Sequence, residues 1–154
     1  MVVSERNSRA VTLLRHLVRS HQRLRAADAA ECQALGLSSS EFDVIATLGN
    51  TDGLRMCDLA SKTLMSPPNI TRVVKRLAER GWVTRLRSPT CEREVVAKLT
   101  DEGERVFAQT YPVVVRGLRD DIDQRLTPAE QDALIALLLR LTDDDASDDL
   151  QSRS

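Results

Sequence analysis

The stretch from Leu59 to Leu99 constrains the fold most, because it reads as two helices joined by a tight connection and followed by a β-hairpin. The second of these helices carries apolar residues at helical spacing, namely Ile70, Val73, Val74 and Leu77. After Gly81, alternating side chains predict a half-buried strand over residues 82–87, and a second strand is predicted over 94–99. This order predicts a winged helix-turn-helix, a unit that places one helix in a DNA groove.

The same stretch concentrates positive charge. Between Lys62 and Arg93 there are eight basic and two acidic side chains, a formal charge of +6, whereas the whole chain carries −1. DNA phosphates are the natural counter-charge for such a segment, although a run of charge is also typical of a solvated helix face. The predicted DNA-contacting residues are Ser66, Pro67, Pro68, Asn69, Thr71, Arg72, Lys75, Arg76, Arg85, Arg87 and Arg93.

The predicted recognition helix has a clear start. Ser66 is a residue type that caps helices, and Pro67 and Pro68 suit a first turn, where the missing N–H would have no partner. Asn69 and Thr71 then fall near the N-terminal end, where a recognition helix reads bases. We expect Arg93, in the loop of the hairpin, to reach a minor groove.

The remainder of the chain reads as helix, which makes the predicted fold class mainly α with a β wing. A long helix is predicted over residues 8–32, with an apolar stripe to spare for a partner. Capping boxes at Ser38–Glu41 and Thr127–Glu130 each predict a helix start. Residues 143–154 carry five Asp and one Arg, which is typical of a flexible, solvated tail.

Several classes of function are disfavoured by the sequence. No targeting signal is evident, and the longest apolar run, Ala133–Leu139, is too short to cross a bilayer, so we expect a soluble, cytoplasmic protein without a membrane partner. No catalytic or phosphate-binding arrangement is present, which argues against an enzyme and against a cofactor. The spacings of the three cysteines and of His16 and His21 fit no metal site.

The chain resembles the MarR family of transcriptional regulators over residues 9–141. The segments that carry the resemblance are Leu59-Ala60, Ile70–Leu77, Arg80–Val83, Arg93 and Lys98–Gly103. The family implies a homodimer, with residues 1–36 and 101–142 as the dimerisation region and residues 37–100 as the DNA-binding region. It also implies a repressor on a pseudo-palindromic operator in double-stranded DNA, released by a small phenolic, aromatic or lipophilic effector or by thiol oxidation.

The resemblance and the helical phase together suggest regulatory residues. An effector pocket is expected near His21, Phe42, Val106 and Thr110, although His21 also fits an interfacial role. Cys32 and Cys91 are the candidates for oxidant sensing, and the alternative is that they are free thiols in a reducing cytosol. The wing departs from the family pattern, since Cys91-Glu92-Arg93 stands where the family has Asp-any-Arg.

A second function fits the same residues. A winged helix can serve as a protein-interaction module whose basic face docks an acidic partner without selecting any DNA sequence. Selective retention of one duplex from fragmented genomic DNA separates the two hypotheses, because only the regulator would discriminate among sequences.

Overall fold

The computed structural model describes residues 8–87 and 95–142, in which the chain forms six α-helices and three short strands. The predicted fold class, a mainly helical winged helix-turn-helix, is confirmed. In chain order the elements are α1 (Arg9–Ala34), α2 (Ser39–Leu48), β1 (Leu54–Arg55), α3 (Met56–Lys62), α4 (Pro67–Glu79), β2 (Val83–Arg87), β3 (Val95–Leu99), α5 (Asp101–Asp123) and α6 (Pro128–Thr142).

Both predicted capping boxes are present. At the start of α2, the backbone N–H of Ser38 donates to Oε2 of Glu41 at 2.9 Å, and the N–H of Glu41 donates to the Ser38 hydroxyl at 3.2 Å. At the start of α6, the N–H of Thr127 donates to Glu130 at 2.8 Å. Each pair satisfies backbone donors that a helix start leaves without partners. At α4, however, the Ser66 side chain makes no capping hydrogen bond. The start of this helix is favoured instead by Pro67 and Pro68, which suit the first helical turn.

The sheet has three antiparallel strands in the order β1–β3–β2. The two hairpin strands were predicted, and Val83 pairs with Leu99 at the base of the wing. The third strand, Leu54–Arg55, was not predicted, because two residues are too few to display a strand period. It pairs with the inner strand and places the loop before α3 against the wing.

The core gathers around helix α4. Ile70, Val73, Val74 and Leu77 are at most 1% exposed, as the apolar spacing predicted. The helix packs against α2, α3 and β2, and its seam joins one cluster with Leu48 of α2 and Leu59 of α3. Burying such a side chain contributes roughly 1.5–3 kcal/mol. Packing therefore fixes which face of α4 points outward.

The base of the wing is joined to helix α5 by close backbone contacts. The hydroxyl of Thr100 donates to the carbonyl of Gly81 at 2.7 Å, and the N–H of Thr100 donates to the carbonyl of Trp82 at 3.0 Å. A Cβ at Gly103 would lie 2.0 Å from that Trp82 carbonyl oxygen, so only glycine permits this approach. The wing is thus held at a fixed place on the helical scaffold.

Two compact units divide the chain, one ending at Leu118 and the other beginning at Arg119. In the first unit, helix α1 exposes apolar side chains that include Leu14, which is 62% exposed. In the second unit, helix α6 buries none of its residues and exposes a run of leucines. No helix within residues 8–87 and 95–142 has both the length and the apolar character to span a membrane.

Candidate nucleic-acid interface

Helix α4 presents a polar face opposite its buried seam. Thr71, Arg72, Lys75 and Arg76 are exposed, and Asn69 is half-buried at the N-terminal end. The two prolines and Ser66 are exposed at the start of the helix. The structure therefore brings the predicted residues of this helix to one outward surface, which we call the reading face (Ser66–Arg76, outward side chains).

Neighbouring side chains orient two residues of the reading face. Nη2 of Arg72 donates to Oδ1 of Asn69 at 2.8 Å, which holds the guanidinium against the N-terminal turn. The hydroxyl of Thr71 donates to the carbonyl of Pro67 at 2.9 Å and so is committed to the helix backbone. Lys75 lies 3.8 Å from Glu79 in an exposed pair within the same helix. Such a surface pair contributes little, so the lysine stays available to an external anion.

Arg76 is placed differently from the other cations. Its Nε lies 3.7 Å from Oε1 of Glu41, a buried carboxylate at the start of α2. Arg80, at the C-cap of α4, also approaches Glu41, at 3.5 Å, and its guanidinium lies 3.5 Å from the centre of the Trp82 ring. The sequence identified Glu41 only as a capping residue, because no local pattern indicates a contact with a residue 35 positions later.

The wing contributes a second basic surface. Arg85 and Arg87 are exposed on β2, as expected for candidates that contact DNA outside the reading face. Arg93 and Cys91 lie outside the described residues, so the minor-groove role of Arg93 and the redox role of Cys91 stay predictions.

A cavity of about 540 Å³ opens beside the reading face. Its lining comes from α1, α2, the connection between α3 and α4, and the first turns of α4. The lining residues are His21, Arg25, Ser40, Asp43, Ala46, Thr47, Lys62, Thr63, Leu64, Met65 and Asn69. Asn69 thus belongs both to the cavity and to the reading face.

One strong ion pair crosses the cavity wall. Arg25 donates two hydrogen bonds to Asp43, at 3.1 and 2.8 Å, in a two-pronged arrangement between α1 and α2. The hydrogen bond to Asp43 raises the pKa of Arg25 above its usual value. The guanidinium of Arg25 is therefore already paired with a carboxylate. Among the residues that line the cavity, Lys62 is the cation that can bind a small anion.

The predicted effector residues do not meet in this cavity. Only His21 lines it, whereas Phe42 belongs to the core, with its ring stacked 6.4 Å from that of Tyr111. Thr110 is buried and donates its hydroxyl to the carbonyl of Val106 at 2.7 Å. Helical phase predicts which side chains point inward, but it does not predict where the packed helices leave a cavity. The cavity residues of the α3–α4 connection were therefore not predicted from the sequence.

Cys32 sits in surroundings unfavourable to oxidation. The residue is fully buried, and burial raises the pKa of its thiol from 9.0 to about 11, with further contributions from the carboxylates of Asp28 and Asp43. The thiolate is the reactive form, so its population at neutral pH is very small. This argues against Cys32 as an oxidant sensor. Cys57 is exposed, and no group of three or more His, Cys, Asp or Glu side chains in the described ranges is arranged to hold a metal ion.

The buried seam, the outward basic face and the three-stranded wing define a winged helix-turn-helix protein of the DNA-binding class. A model of the MarR family matches residues 37–95. The chain is 31% identical over 121 residues to an HTH-type transcriptional repressor of Mycobacterium bovis, covering 79% of this chain and 86% of that relative. It is 28% identical over 134 residues to the HTH-type transcriptional regulator YkoM of Bacillus subtilis, covering 87% and 86%.

A solved structure extends the comparison to a DNA complex. The fold matches a MarR family transcriptional regulator from Streptomyces coelicolor in complex with DNA, with a TM-score of 0.78, 27% identity, and coverage of 85% of this chain and 84% of that one. The chain belongs to the MarR family of transcriptional regulators, which are DNA-binding proteins and not enzymes.

The Cys32 environment predicts a particular pH dependence of stability. The folded chain keeps the thiol proton up to about pH 11, whereas an unfolded thiol loses it near pH 9.0. This thiol therefore leaves the free energy of unfolding unchanged below about pH 9 and lowers it as the pH rises from 9 towards 11. Urea unfolding at pH 7, 9 and 10.5 measures the effect. The loss above pH 9 should be smaller in Cys32→Ala, and equal losses in both proteins would contradict the assignment.

Proposed function

We propose that the protein is a homodimeric repressor that inserts helix α4 into the major groove of a pseudo-palindromic operator and is released by a small aromatic acid. The observation that carries the DNA-binding part is the reading face, in which Asn69, Arg72 and Lys75 point away from a fully buried seam. Backbone phosphates supply most of the affinity in such complexes, and base edges supply the selectivity.

Arg72 is the residue that we assign to base reading. A guanidinium pairs with O6 and N7 of guanine through two hydrogen bonds, and it reads best when its orientation is fixed beforehand. The hydrogen bond to Asn69 supplies that orientation and leaves other N–H donors of the arginine for the base. Lys75, Arg85 and Arg87 fit phosphate contacts, because they are exposed cations without a buried partner in the described residues.

Replacing Arg72 tests the assignment. We expect Arg72→Gln to weaken binding to the selected operator by about 10- to 100-fold while binding to an unrelated duplex changes much less, because one base contact contributes about 1–3 kcal/mol. Arg105→Gln is the matched control, since Arg105 is an exposed arginine of helix α5 that is paired with Glu102. Fluorescence anisotropy with both duplexes measures the two affinities. Equal losses on the operator and on the unrelated duplex would contradict base reading by Arg72.

The exposed apolar faces of α1 and α6 support the homodimer. Leu134, Leu137 and Leu141 recur at helical spacing on α6 and are 41–60% exposed. On α1, Val11, Leu14 and Val18 form a similar stripe. Apolar stripes of this length are seldom left in water, and a second copy of the chain offers the same stripes as partners.

Leucine substitutions on α6 test the dimer. We expect the wild-type chain to be a dimer at micromolar concentration, and Leu137→Gln/Leu141→Gln to shift it towards monomer, because two apolar contacts are lost from each copy. Arg140→Gln, on the same helix, should leave the dimer intact. Light scattering during size-exclusion chromatography gives the mass. A monomeric wild-type chain, or a double variant that stays fully dimeric, would contradict the proposed interface.

The cavity beside the reading face supports release by an aromatic acid. Lys62 offers a cation for a carboxylate, and Ala46, Leu64 and Met65 offer apolar surface for a ring. Asn69 lines the cavity and also holds Arg72, so a bound molecule would lie next to the orienting hydrogen bond. Among proteins of the same fold, DNA binding by BpsR of Bordetella bronchiseptica is regulated by 6-hydroxynicotinic acid, and NadR has been solved in complex with 4-hydroxyphenylacetate.

These two acids are suitable probes for the cavity. We expect 4-hydroxyphenylacetate or 6-hydroxynicotinate, at millimolar concentration, to weaken operator binding at least fivefold in the wild-type chain. Neutral 4-hydroxyphenylacetamide should act more weakly, and Lys62→Gln should reduce the response to the acids because the carboxylate loses its counter-charge. Anisotropy titrations with and without each compound measure the ratio of affinities. An unchanged operator affinity with both acids, or an equal response in Lys62→Gln, would contradict effector binding at this site.

A further inference from the structure

Glu41 has a position that its capping role does not explain. Its side chain is only 11% exposed, and both of its oxygens have partners. Oε2 accepts hydrogen bonds from the N–H and the hydroxyl of Ser38, at 2.9 and 3.1 Å, and lies 3.5 Å from Nη1 of Arg80. Oε1 lies 3.7 Å from Nε of Arg76. One carboxylate thus serves the start of α2 and two cations at the C-terminal end of α4.

Arg80 carries the connection further. Its Nη2 donates to the carbonyl of Gly36 at 3.1 Å, and its guanidinium lies over the ring of Trp82, the residue before strand β2. The chain that follows α1, the start of α2, the end of α4 and the base of the wing therefore meet around one buried acid. Among residues 8–87 and 95–142, the ion pairs that join α4 and its C-cap to another element both end on Glu41.

A buried carboxylate fixes a helix more strongly than an exposed pair does. The pair between Lys75 and Glu79 lies within α4, with side chains 70% and 63% exposed, so it cannot set the orientation of the helix relative to its neighbours. The side chain of Glu41, by contrast, is only 11% exposed, so removing its cations would leave a desolvated charge without compensation. The buried acid therefore draws Arg76 and Arg80 toward α2, with their own side chains 48% and 36% exposed, whereas the acid that pairs with Lys75 belongs to the same helix.

We propose that Glu41 is a positioning residue for DNA recognition: it holds the C-terminal half of α4 in register with α2 and keeps Arg76 away from the DNA phosphates. The proposal rests on the proposed function, since it assumes that α4 reads DNA. This positioning affects the selectivity of DNA binding. An arginine bound to phosphate adds affinity for every sequence alike, so keeping Arg76 from the phosphates lowers non-specific binding while Arg72 reads the base.

Glu41→Gln tests the proposal with little change in shape. Glutamine at this position retains the capping box, so the start of α2 is kept while the negative charge is lost. We expect binding to an unrelated duplex to become at least fivefold tighter, and the slope of log K against log salt to steepen by about 0.9 for each arginine released. The ratio of operator affinity to non-specific affinity should fall at least fivefold.

Glu79→Gln is the matched control, because it removes the same charge from the exposed face of α4. It should leave that ratio within twofold of the wild-type value. If Glu41→Gln and Glu79→Gln alter the ratio and the slope equally, net charge alone explains the effect and the positioning role is wrong.

Arg76→Gln provides a second arm that does not depend on the folding of Glu41→Gln. In the wild-type background it should leave the salt slope unchanged, since Arg76 is held by Glu41 and not by a phosphate. In the Glu41→Gln background, Arg76→Gln should remove the part of the steeper salt slope that Arg76 causes. A slope that becomes shallower by about 0.9 for Arg76→Gln alone would overturn the proposal.

The wild-type chain separates this proposal from the proposed function. If it shows no preference for any duplex selected from genomic fragments, the proposed function fails. If it selects a duplex but Arg76→Gln alone makes the slope shallower, or Glu41→Gln matches Glu79→Gln, only the role of Glu41 fails.

Discussion

The burial of four aliphatic side chains on one face of helix α4 is the interaction on which the rest of the structure depends. Ile70, Val73, Val74 and Leu77 lie in the core with Leu48 and Leu59, so the rotation of the helix about its axis is fixed by packing. A rotation that exposed this seam would return four apolar side chains to water, at a cost of roughly 1.5–3 kcal/mol each. The outward position of Asn69, Arg72 and Lys75 follows from that cost.

Polar contacts then refine what packing has set. Asn69 orients Arg72 on the outer surface, and Glu41 binds Arg76 and Arg80 at the other end of the helix. Cations that are equivalent in a count of charge therefore differ in the structure, because Lys75 pairs with an exposed acid of its own helix, whereas Arg76 and Arg80 approach a buried acid of α2. A formal charge of +6 between Lys62 and Arg93 indicates attraction to DNA, but only the partners of each side chain indicate which cations are available.

The features that local sequence determines were predictable. The apolar spacing of α4, the capping boxes at Ser38 and Thr127 and the paired strands of the wing all depend on residues close together in the chain. The short strand Leu54–Arg55 was not predictable in this way, since it exists only through pairing with residues more than 40 positions later. The contact of Glu41 with Arg76 and the cavity between α1, α2 and the α3–α4 connection likewise arise from tertiary packing. Thus the position of the reading face could be predicted from the sequence, whereas the contacts that hold it and the neighbouring cavity could be identified only from the structure.

The placement of helix α4 on DNA can be measured directly by photo-crosslinking. A photoreactive phenylalanine analogue in place of Thr71 puts the reactive group on the exposed side of α4, and the same analogue in place of Arg105 puts it on helix α5. With operator DNA, we expect crosslinks from position 71 to bases within each half-site and none from position 105. Crosslinking from position 105 but not from position 71 would contradict the entry of helix α4 into the groove.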